Sequence, residues 1–263
     1  MTHKSPVAAD GHVRCSIEGP IARLTIDRTA ARNAMTWRMY EELAAACASL
    51  SGNGGIRVAV LRGAGGKAFI AGTDIEQFRA FASGEDGIAY EKRIEAYISG
   101  LQALPFPTIA VVEGWAVGGG LAIANACDIR IATPGSRFGV PIARTLGNCL
   151  SAANLRRLTA TLGTAVVQRM LLLAEMPTAE ELPRGYVSVV AADELDAHID
   201  DLCRRIAGHA PITLRVTKEA LRRLATDPNP DDADLIRAAY GSADFREGIE
   251  AFSAKRPPHW QGR

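Results

Sequence analysis

The sequence lacks the features that would commit it to a metal, a disulfide framework or a membrane. Its five cysteines are odd in number and widely spaced, without a C-x-x-C pair, so neither a disulfide scaffold nor a zinc site is predicted. The five histidines show no i,i+3 or i,i+4 pairing that would support metal binding. No stretch approaches the ~18 uninterrupted apolar residues of a membrane span. These absences predict a cytoplasmic protein with no metal and no membrane partner.

The chain also lacks an excess of charge of either sign, and it lacks nucleotide-binding motifs. Thirty Lys and Arg against twenty-nine Asp and Glu give a formal net charge of +1, so no overall attraction to nucleic acid is expected. The chain contains no G-x-x-x-x-G-K-[ST] loop, no G-x-G-x-x-G in a β-α-β setting and no G-x-S-x-G elbow. Nucleotide hydrolysis, dinucleotide redox chemistry and an α/β-hydrolase are therefore disfavoured.

The hydrophobic pattern predicts an α/β core followed by a helical C-terminal part. Residues 13–27 alternate around Gly19-Pro20, which indicates a β-hairpin, and Thr36 is placed to cap the helix that follows. The apolar runs 58–61 and 109–112 are typical of strands in a covered sheet. With 263 residues the chain can form one large domain. We expect residues 1–12 to be a disordered or extended tail.

A polar, glycine-bearing loop at residues 83–87 leads into a predicted helix over residues 90–104, which could serve as a mobile lid. Its acidic residues are expected to lie mostly on a solvated face, from which one of them could reach a pocket on closure. They are Glu85, Asp86, Glu91 and Glu95. From about residue 151 onwards the pattern is mostly helical, with one short strand signal at residues 186–190.

Three consecutive glycines, Gly118 to Gly120, separate a predicted buried strand from an apolar helix. Glycine lets a ligand approach the main chain, and the first N–H groups of a helix are unpaired and lie at the positive end of its dipole. A second glycine turn, residues 71–75, also follows a strand and opens a helical pattern. Two such turns can direct two N–H groups at one oxygen, an arrangement suited to a developing oxyanion. A flexible turn or tight helix packing is the alternative for the glycines alone.

Four segments of the chain resemble, in order, motifs of the crotonase (enoyl-CoA hydratase/isomerase) superfamily. Residues 27–35 (DRTAARNAM) resemble its NRP-x-x-[KR]-NAL segment, and residues 67–75 (KAFIAGTDI) resemble its AF-x-AG-x-D-[IL]. Residues 114–128 resemble its G-[YFW]-A-x-GGG…CD, and residues 247–257 its EG-x-x-AF-x-x-KR-x-P. The resemblance runs from about residue 13 to the C terminus. It implies a spiral of β-β-α units with an acyl-CoA-binding core at residues 13–200 and a helical part used in trimerisation at residues 201–263.

The resemblance also implies a site and an activity. The N–H groups of Thr73 and Gly119 would form an oxyanion hole for a thioester enolate, in an isomerase or lyase of fatty acid metabolism. No cofactor would be bound permanently, since coenzyme A arrives as part of the substrate, and the chain would form a homotrimer or a dimer of trimers. The residues implied to contact substrate are Arg32, Ala34, Ala71, Gly72, Thr73, Asp74, Ile75, Trp115, Val117, Gly118, Gly119, Pro141 and Ile142, with Phe252 and Lys255 near a neighbour's CoA. Arg32 would face a phosphate, whereas a capping role is the favoured one for Asp74.

The chain departs from the family pattern at both glutamates that family hydratases use to add water. Ala122 and Ile142 occupy those positions, or Ala143 if the second alignment shifts by one residue. None of these side chains can move a proton. Arg144 is the first candidate replacement group, able to hold a substrate carboxylate or orient water but not to act as a base. Asn148 is a further candidate.

Three functions remain open from the sequence. The first is a hydratase-type lyase or isomerase, and the second is a decarboxylase or a carbon–carbon-cleaving enzyme that keeps the oxyanion hole. The third is a catalytically silent CoA-binding assembly protein. Cys149 is not needed by any of them, and we expect it to be a small packed side chain.

Overall fold

The computed structural model of the protein describes residues 10–263. The predicted hairpin is confirmed: strand β1 (His12–Glu18) pairs antiparallel with β2 (Ile21–Asp27) across Gly19-Pro20. β1 begins at His12, one residue before the hairpin was predicted to start. Of the predicted N-terminal tail, Asp10 and Gly11 are also ordered against the fold, since Gly11 is buried and the Asp10 carbonyl accepts a hydrogen bond from the Thr36 hydroxyl. Residues 1–9 of that tail lie outside the described residues.

The hairpin forms one edge of a six-stranded sheet with the order β1-β2-β3-β4-β6-β8. After β2 every neighbouring pair in this sheet is parallel, which requires crossover connections and places helices on its faces. Its further strands are β3 (Val58–Gly63), β4 (Thr108–Val112), β6 (Ile129–Ala132) and β8 (Ser188–Val189). All five residues of β4 are buried, as the continuous apolar run predicts.

A second, two-stranded parallel sheet joins β5 (Trp115–Val117) to β7 (Arg137–Gly139). Neither strand was predicted from the sequence, because three residues are too few to show a two-residue alternation. β5 leads directly into the three glycines, so this small sheet fixes where the glycine turn begins.

The helices cover the sheets and make up most of the C-terminal part. They are α1 (Trp37–Ser51), α2 (Gly84–Gln102), α3 (Gly119–Ala126), the single turn α4 (Ile142–Thr145), α5 (Ala152–Leu162), α6 (Thr164–Leu172), α7 (Leu195–Ala207), α8 (Pro211–Leu224), α9 (Ala233–Tyr240) and α10 (Ala243–Ser253). Thr36 caps α1 as predicted, its side chain accepting a hydrogen bond from the Met39 amide. Within residues 10–263, no helix is long and apolar enough to cross a membrane.

Helix α2 is longer than the predicted lid helix and begins six residues earlier, at Gly84. Asp86 explains the earlier start. Its carboxylate accepts hydrogen bonds from the amides of Ala82 and Ser83, both at 2.8 Å, and so completes a capping box with Ser83. These contacts lower the pKa of Asp86. One of the four acidic residues of this segment is therefore a cap.

Replacing Gly100, an exposed residue inside α2, by alanine is expected to stabilise the protein by about 0.5–1 kcal/mol. An added Cβ has no neighbour within 4 Å, and the backbone is already helical. Gly135→Ala is the control, because its surroundings are equally open but its φ of +73° disfavours alanine. Urea unfolding should show opposite signs for the two variants; equal effects would contradict this account.

Helix α8 is joined to the central sheet by an ion pair. Lys218 contacts the Asp128 carboxylate at 2.6 Å and donates to the Phe106 carbonyl at 3.0 Å. Asp128 also accepts hydrogen bonds from the amide and the hydroxyl of Thr108, at the start of β4. Asp128 thus has a structural role: it fixes helix α8 to the start of β4.

Candidate active site

The two glycine turns are aligned by a short parallel bridge between Ile70 and Ala116. The Ile70 amide donates to the Trp115 carbonyl at 3.1 Å, and the Val117 amide donates to the Ile70 carbonyl at 3.0 Å. Thr73 and Gly119 each lie three residues beyond this bridge. The bridge brings the two turns together, and Thr73 lies next to Gly119: the Thr73 hydroxyl oxygen is 3.2 Å from the position that a Cβ would occupy on Gly119.

The N–H groups of Thr73 and Gly119 both remain available to a ligand. In the described part of the chain, neither donates a hydrogen bond to a protein acceptor. Gly72 and Asp74 flank Thr73 and both bond to Met35, which turns the Thr73 amide to the opposite side. The Thr73 nitrogen lies 3.8 Å from the position that a Cβ would occupy on Gly119. Since Gly119 also opens α3, this arrangement can stabilise a negatively charged oxygen.

The two other glycines of the triplet are required by different constraints. Gly118 has a φ of +53°, a left-handed conformation that other residues rarely adopt. A Cβ on Gly120 would overlap the carbonyl oxygen of Ile70. Glycine is therefore needed for the turn at one position and for close approach at the other, which leaves Gly119 as the one that faces the site.

The predicted CoA-contacting turns lie together. The Ala71 amide donates to the Arg32 carbonyl at 3.1 Å, which joins residues 32–34 to the second glycine turn. Asn33 holds its own turn in place from a buried position: its amide group donates to the carbonyls of Ala64 and Ala68, at 3.0 and 2.8 Å. Arg32 itself is exposed, as a phosphate-facing residue has to be, and Ile75 is exposed at the edge of the same turn.

Asp74 has the capping role favoured in the sequence analysis. Its carboxylate accepts a hydrogen bond from the Glu76 amide at 3.2 Å and pairs with the Arg28 guanidinium at 2.7 Å. Both side chains of this ion pair are largely buried, with 14% and 16% exposure. Asp74 therefore fixes the shape of the turn that presents the Thr73 amide.

The two positions that the motif resemblance assigns to the family's glutamates hold apolar side chains, one buried and one half-buried. Ala122 is 8% exposed, and its amide donates to the Gly118 carbonyl in the first turn of α3. Ile142 is half-buried in α4, which begins after Pro141, and packs against the main core. Neither the alanine at position 122 nor the isoleucine at position 142 can transfer a proton.

The segment after Ile142 is open to solvent. Arg144 and Asn148 are both exposed, and within residues 10–263 the Arg144 guanidinium has no hydrogen-bond or ion-pair partner. Cys149 is also exposed, so the expectation of a packed side chain was wrong. Cys149 lies in an exposed loop that precedes α5.

Other predicted contact residues fall into two groups. Trp115, Val117 and Gly118 are half-buried on the strand and turn that lead into α3. Phe252, at 88% exposure, and Lys255 lie at the end of α10, on the surface of the single chain. Their role beside a neighbour's CoA stays a prediction.

Three hydroxyl groups beside the oxyanion site were not foreseen from the sequence. The Thr73 hydroxyl lies 2.9 Å from the Tyr40 hydroxyl and 3.0 Å from the Tyr90 hydroxyl. The Tyr40 oxygen is 2.5 Å from the Cβ position of Gly119. The sequence signal that could have indicated this cluster is Tyr40, which lies on the buried face of α1, because a buried phenol hydroxyl needs a hydrogen-bond partner.

The two tyrosines come from different elements and stay protonated at neutral pH. Tyr40 is fully buried on α1, and burial raises the pKa of its hydroxyl. Tyr90 is half-buried on α2, and burial raises its pKa to about 12. Tyr90 is surrounded by the rings of Trp37, Phe78 and Phe81 at centroid distances of 4.9 to 6.0 Å. These rings close the α2 side of the site.

Glu91 is the carboxylate of the lid segment that adjoins this cluster. It accepts a hydrogen bond from the Ser151 amide at 2.8 Å, and its charge contributes to the raised pKa values of Tyr40 and Tyr90. Burial raises the pKa of Glu91 itself, although the Ser151 contacts act against the shift. Glu85, by contrast, is exposed, and Glu95 pairs with Arg157.

The raised pKa of Glu91 predicts a pH-dependent gain in stability for Glu91→Gln. The folded protein holds this proton more tightly than the unfolded chain, so the contribution of Glu91 to stability falls as the pH rises above about 4.5. The glutamine oxygen can still accept from Ser151. Urea unfolding between pH 4 and 8 should show the variant gaining on the wild type as pH rises.

Glu95→Gln is the matched control for this experiment. The Arg157 guanidinium lowers the pKa of Glu95, so its carboxylate stabilises the fold once it is ionised. This variant should be less stable than the wild type by a nearly constant amount above about pH 4.5, and the difference should shrink only as the pH falls below that value. A pH-independent difference for Glu91→Gln would contradict the proposed burial effect.

Comparison with known proteins identifies the family. Residues 16–263 match the family model described as enoyl-CoA hydratase/isomerase. The chain belongs to the enoyl-CoA hydratase/isomerase family. A probable enoyl-CoA hydratase of Bacillus subtilis is 31% identical, over 95% of this chain and 98% of that protein. The 2,3-dehydroadipyl-CoA hydratase of Escherichia coli is 32% identical, over 91% of this chain and 94% of its own.

Solved structures give the same result for the fold of this enoyl-CoA hydratase/isomerase family member. An enoyl-CoA hydratase/carnithine racemase from Magnetospirillum magneticum superimposes with a TM-score of 0.87 at 34% identity. The match covers 95% of this chain and 96% of that one. The crotonase-type fold expected from the motifs is therefore confirmed.

Proposed function

We propose that the protein is an enzyme that binds an acyl-CoA thioester and stabilises its enolate with the amides of Thr73 and Gly119. The observation that carries the proposal is the pair of unpaired N–H groups placed side by side by the Ile70–Ala116 bridge. Such donors stabilise charge that develops on a carbonyl oxygen, and they cost no reorganisation at the moment of reaction. CoA would lie along Arg32, Ala34 and residues 71–75, entering and leaving as part of the substrate, with no permanently bound cofactor.

The names of the relatives support a CoA ester as the substrate. The similar proteins from B. subtilis and E. coli carry hydratase names, and the latter acts on 2,3-dehydroadipyl-CoA. Water addition in this chain would, however, need an acid and a base at positions held by Ala122 and Ile142. We therefore propose an enolate-forming reaction on a CoA ester in which neither side chain transfers a proton.

Decarboxylation of a malonyl-type CoA ester is the specific candidate that fits this apolar site. When its carbon–carbon bond breaks, carbon dioxide leaves and the electron pair moves into the thioester enolate, so no base is required. A proton then has to reach the α-carbon, from water or from a hydroxyl group. Arg144, exposed and without a protein partner among residues 10–263, could hold the carboxylate before it leaves.

A panel of CoA esters, analysed by mass spectrometry for turnover, tests the proposal. It should contain crotonyl-CoA, malonyl-type esters and aryl-CoA esters, each also incubated with Arg144→Ala and with an Arg156→Ala control on α5. Turnover of a malonyl-type ester that depends on Arg144 supports decarboxylation. Binding without turnover of any ester would favour the silent CoA-binding alternative, and absence of binding would contradict the proposal.

We also propose that the protein acts as a homotrimer or a dimer of trimers in the cytoplasm. Large apolar side chains are exposed on the C-terminal helices, which supports burial against other subunits. They include Leu221, Tyr240, Ile249 and Phe252, at 53 to 88% exposure. Five cysteines without a disulfide support a reducing compartment. A stable monomer in light scattering would overturn the assembly proposal.

A further inference from the structure

The hydroxyl cluster of Tyr40, Thr73 and Tyr90 has more protons than internal contacts. Three hydroxyl groups supply three protons, and the cluster contains two hydrogen bonds, both to the Thr73 oxygen. Among the residues that the structure describes, neither tyrosine hydroxyl has another hydrogen-bond partner. In every arrangement one O–H group is therefore left to donate to something outside the cluster.

The chemistry of the three groups determines which proton is left over. A phenol is a stronger hydrogen-bond donor and a weaker acceptor than an aliphatic alcohol, because its ring withdraws electron density from the oxygen. Both tyrosines are therefore expected to donate to the Thr73 oxygen, which has two lone pairs to accept them. The proton left over is then that of the Thr73 hydroxyl.

The tyrosines are held in this arrangement by their rings. Tyr40 stacks on Tyr97 with an interplanar angle of 9° and a centroid distance of 5.6 Å. Tyr90 meets Phe78 edge to face at 4.9 Å. The raised pKa values of both hydroxyls keep them protonated, and therefore able to donate, throughout the neutral range.

The free Thr73 proton lies at the oxyanion site itself. Thr73 supplies one of the two unpaired amides, and its hydroxyl oxygen is 3.2 Å from the Cβ position of Gly119. Both Thr73 and Gly119 are half-buried, so neither is sealed off in the core. An oxygen bound by the two amides is thus adjacent to a third donor.

We propose that the Thr73 hydroxyl, into which Tyr40 and Tyr90 both donate, is a third hydrogen-bond donor to the thioester oxygen. This inference rests on the proposed binding of an acyl-CoA thioester. Donation from two phenols makes the threonine proton more positive, so the side chain is a better donor than an isolated alcohol. The oxyanion site would then depend on a side chain as well as on the main chain.

Isotope-edited infrared spectroscopy of bound butyryl-CoA, labelled with ¹³C at the thioester carbonyl, tests the proposal. Each hydrogen bond to the oxygen weakens the carbonyl bond and lowers its stretching frequency. This saturated ester has no double bond to hydrate, so the measurement does not depend on turnover. The whole chain is used at saturating ester, with occupancy measured separately by titration.

The wild type and Thr73→Ser, which keeps a hydroxyl, are expected to show the full displacement to lower frequency. Thr73→Val has nearly the same shape without the hydroxyl, and its displacement should shrink to that given by two amides. A displacement in Thr73→Val equal to that of the wild type would overturn the inference and leave the proposed function intact. A wild type that binds no ester, or binds it without displacement, would overturn both.

Tyr90→Phe covers the possibility that Thr73→Val does not fold. Removal of the Tyr90 hydroxyl leaves the Thr73 oxygen in contact with the Tyr40 hydroxyl, so no buried group loses its last partner. The Thr73 oxygen then accepts from one phenol instead of two, and the carbonyl displacement should be smaller than in the wild type. An unchanged displacement in Tyr90→Phe would contradict the proposal without any need for the Thr73 variant.

Discussion

Hydration of crotonyl-CoA is expected to be slower than in a family member that carries both glutamates by at least ~10²–10⁴-fold, the usual contribution of one positioned acid or base. Binding of the ester should be kept, because the groups proposed to bind it, the amides of Thr73 and Gly119 and the Arg32 side chain, are all present. Proton transfer, by contrast, would need acid–base groups at positions 122 and 142. Those positions hold Ala122, which is buried, and Ile142, which is half-buried, and neither side chain can transfer a proton. Steady-state loss of the enoyl absorbance measures the rate, and calorimetry measures the binding.

Ala122→Glu combined with Ile142→Glu is the corresponding gain-of-function variant. Some hydration should return if the two positions alone account for the loss. Ala122 is closely packed, however, so burial of a carboxylate there would raise its pKa and destabilise the fold. A wild-type kcat of about 10 s⁻¹ or more on crotonyl-CoA would show that another acid–base group is at work. Glu91 would be the first to replace in that case.

Gly119→Ala is expected to abolish recognition of the acyl group while leaving the affinity for free CoA within about threefold. The new methyl group would lie 2.5 Å from the Tyr40 hydroxyl, 3.2 Å from the Thr73 hydroxyl and 3.8 Å from the Thr73 nitrogen. It would therefore press on the Tyr40 hydroxyl and on Thr73, and displace the Thr73 and Gly119 amides from each other. Turnover of the best CoA ester should fall by ~10²–10³-fold or more, as for loss of an oxyanion donor.

The neighbouring Gly120→Ala is the contrast for this variant. Its methyl group would meet the Ile70 main chain, which has no room to move within the core, so unfolding is the expected result. Gly119→Ala meets a tyrosine hydroxyl instead, and Tyr40→Phe in the same chain should relieve that contact. A Gly119→Ala protein with unchanged ester turnover would show that this glycine does not face the substrate.

Local sequence signals predicted much of the fold that carries the site. The hairpin around Gly19-Pro20, the Thr36 cap and the strand at residues 58–61 all depend on neighbours in the chain, and each was confirmed. The lid helix was placed too late because Asp86, which starts it, was interpreted as a solvated charge. Whether a carboxylate caps a helix depends on the backbone geometry around it, which cannot be read from the pattern of polar and apolar residues.

The hydroxyl cluster shows what the sequence could not supply. Tyr40 and Thr73 are 33 residues apart, and nothing in either local pattern indicates that they meet. Thr73 was singled out for its amide only, since the family motif concerns the backbone there. Tyr90 was assigned to a lid without a partner. The hydroxyl groups of this site are brought together by contacts between distant elements. Its two glycine turns, by contrast, could be inferred from the order of the motifs along the chain.

The Ile70–Ala116 bridge makes the oxyanion site sensitive to chain length and tolerant of side-chain identity. A single inserted or deleted residue in either three-residue segment beyond the bridge would carry one amide out of alignment with the other. Substitutions outside these segments, such as those at positions 122 and 142, change side chains without changing the number of residues between the bridge and either amide. The reaction can therefore diverge through side chains alone, while any change in the length of these segments removes the site that all such reactions share.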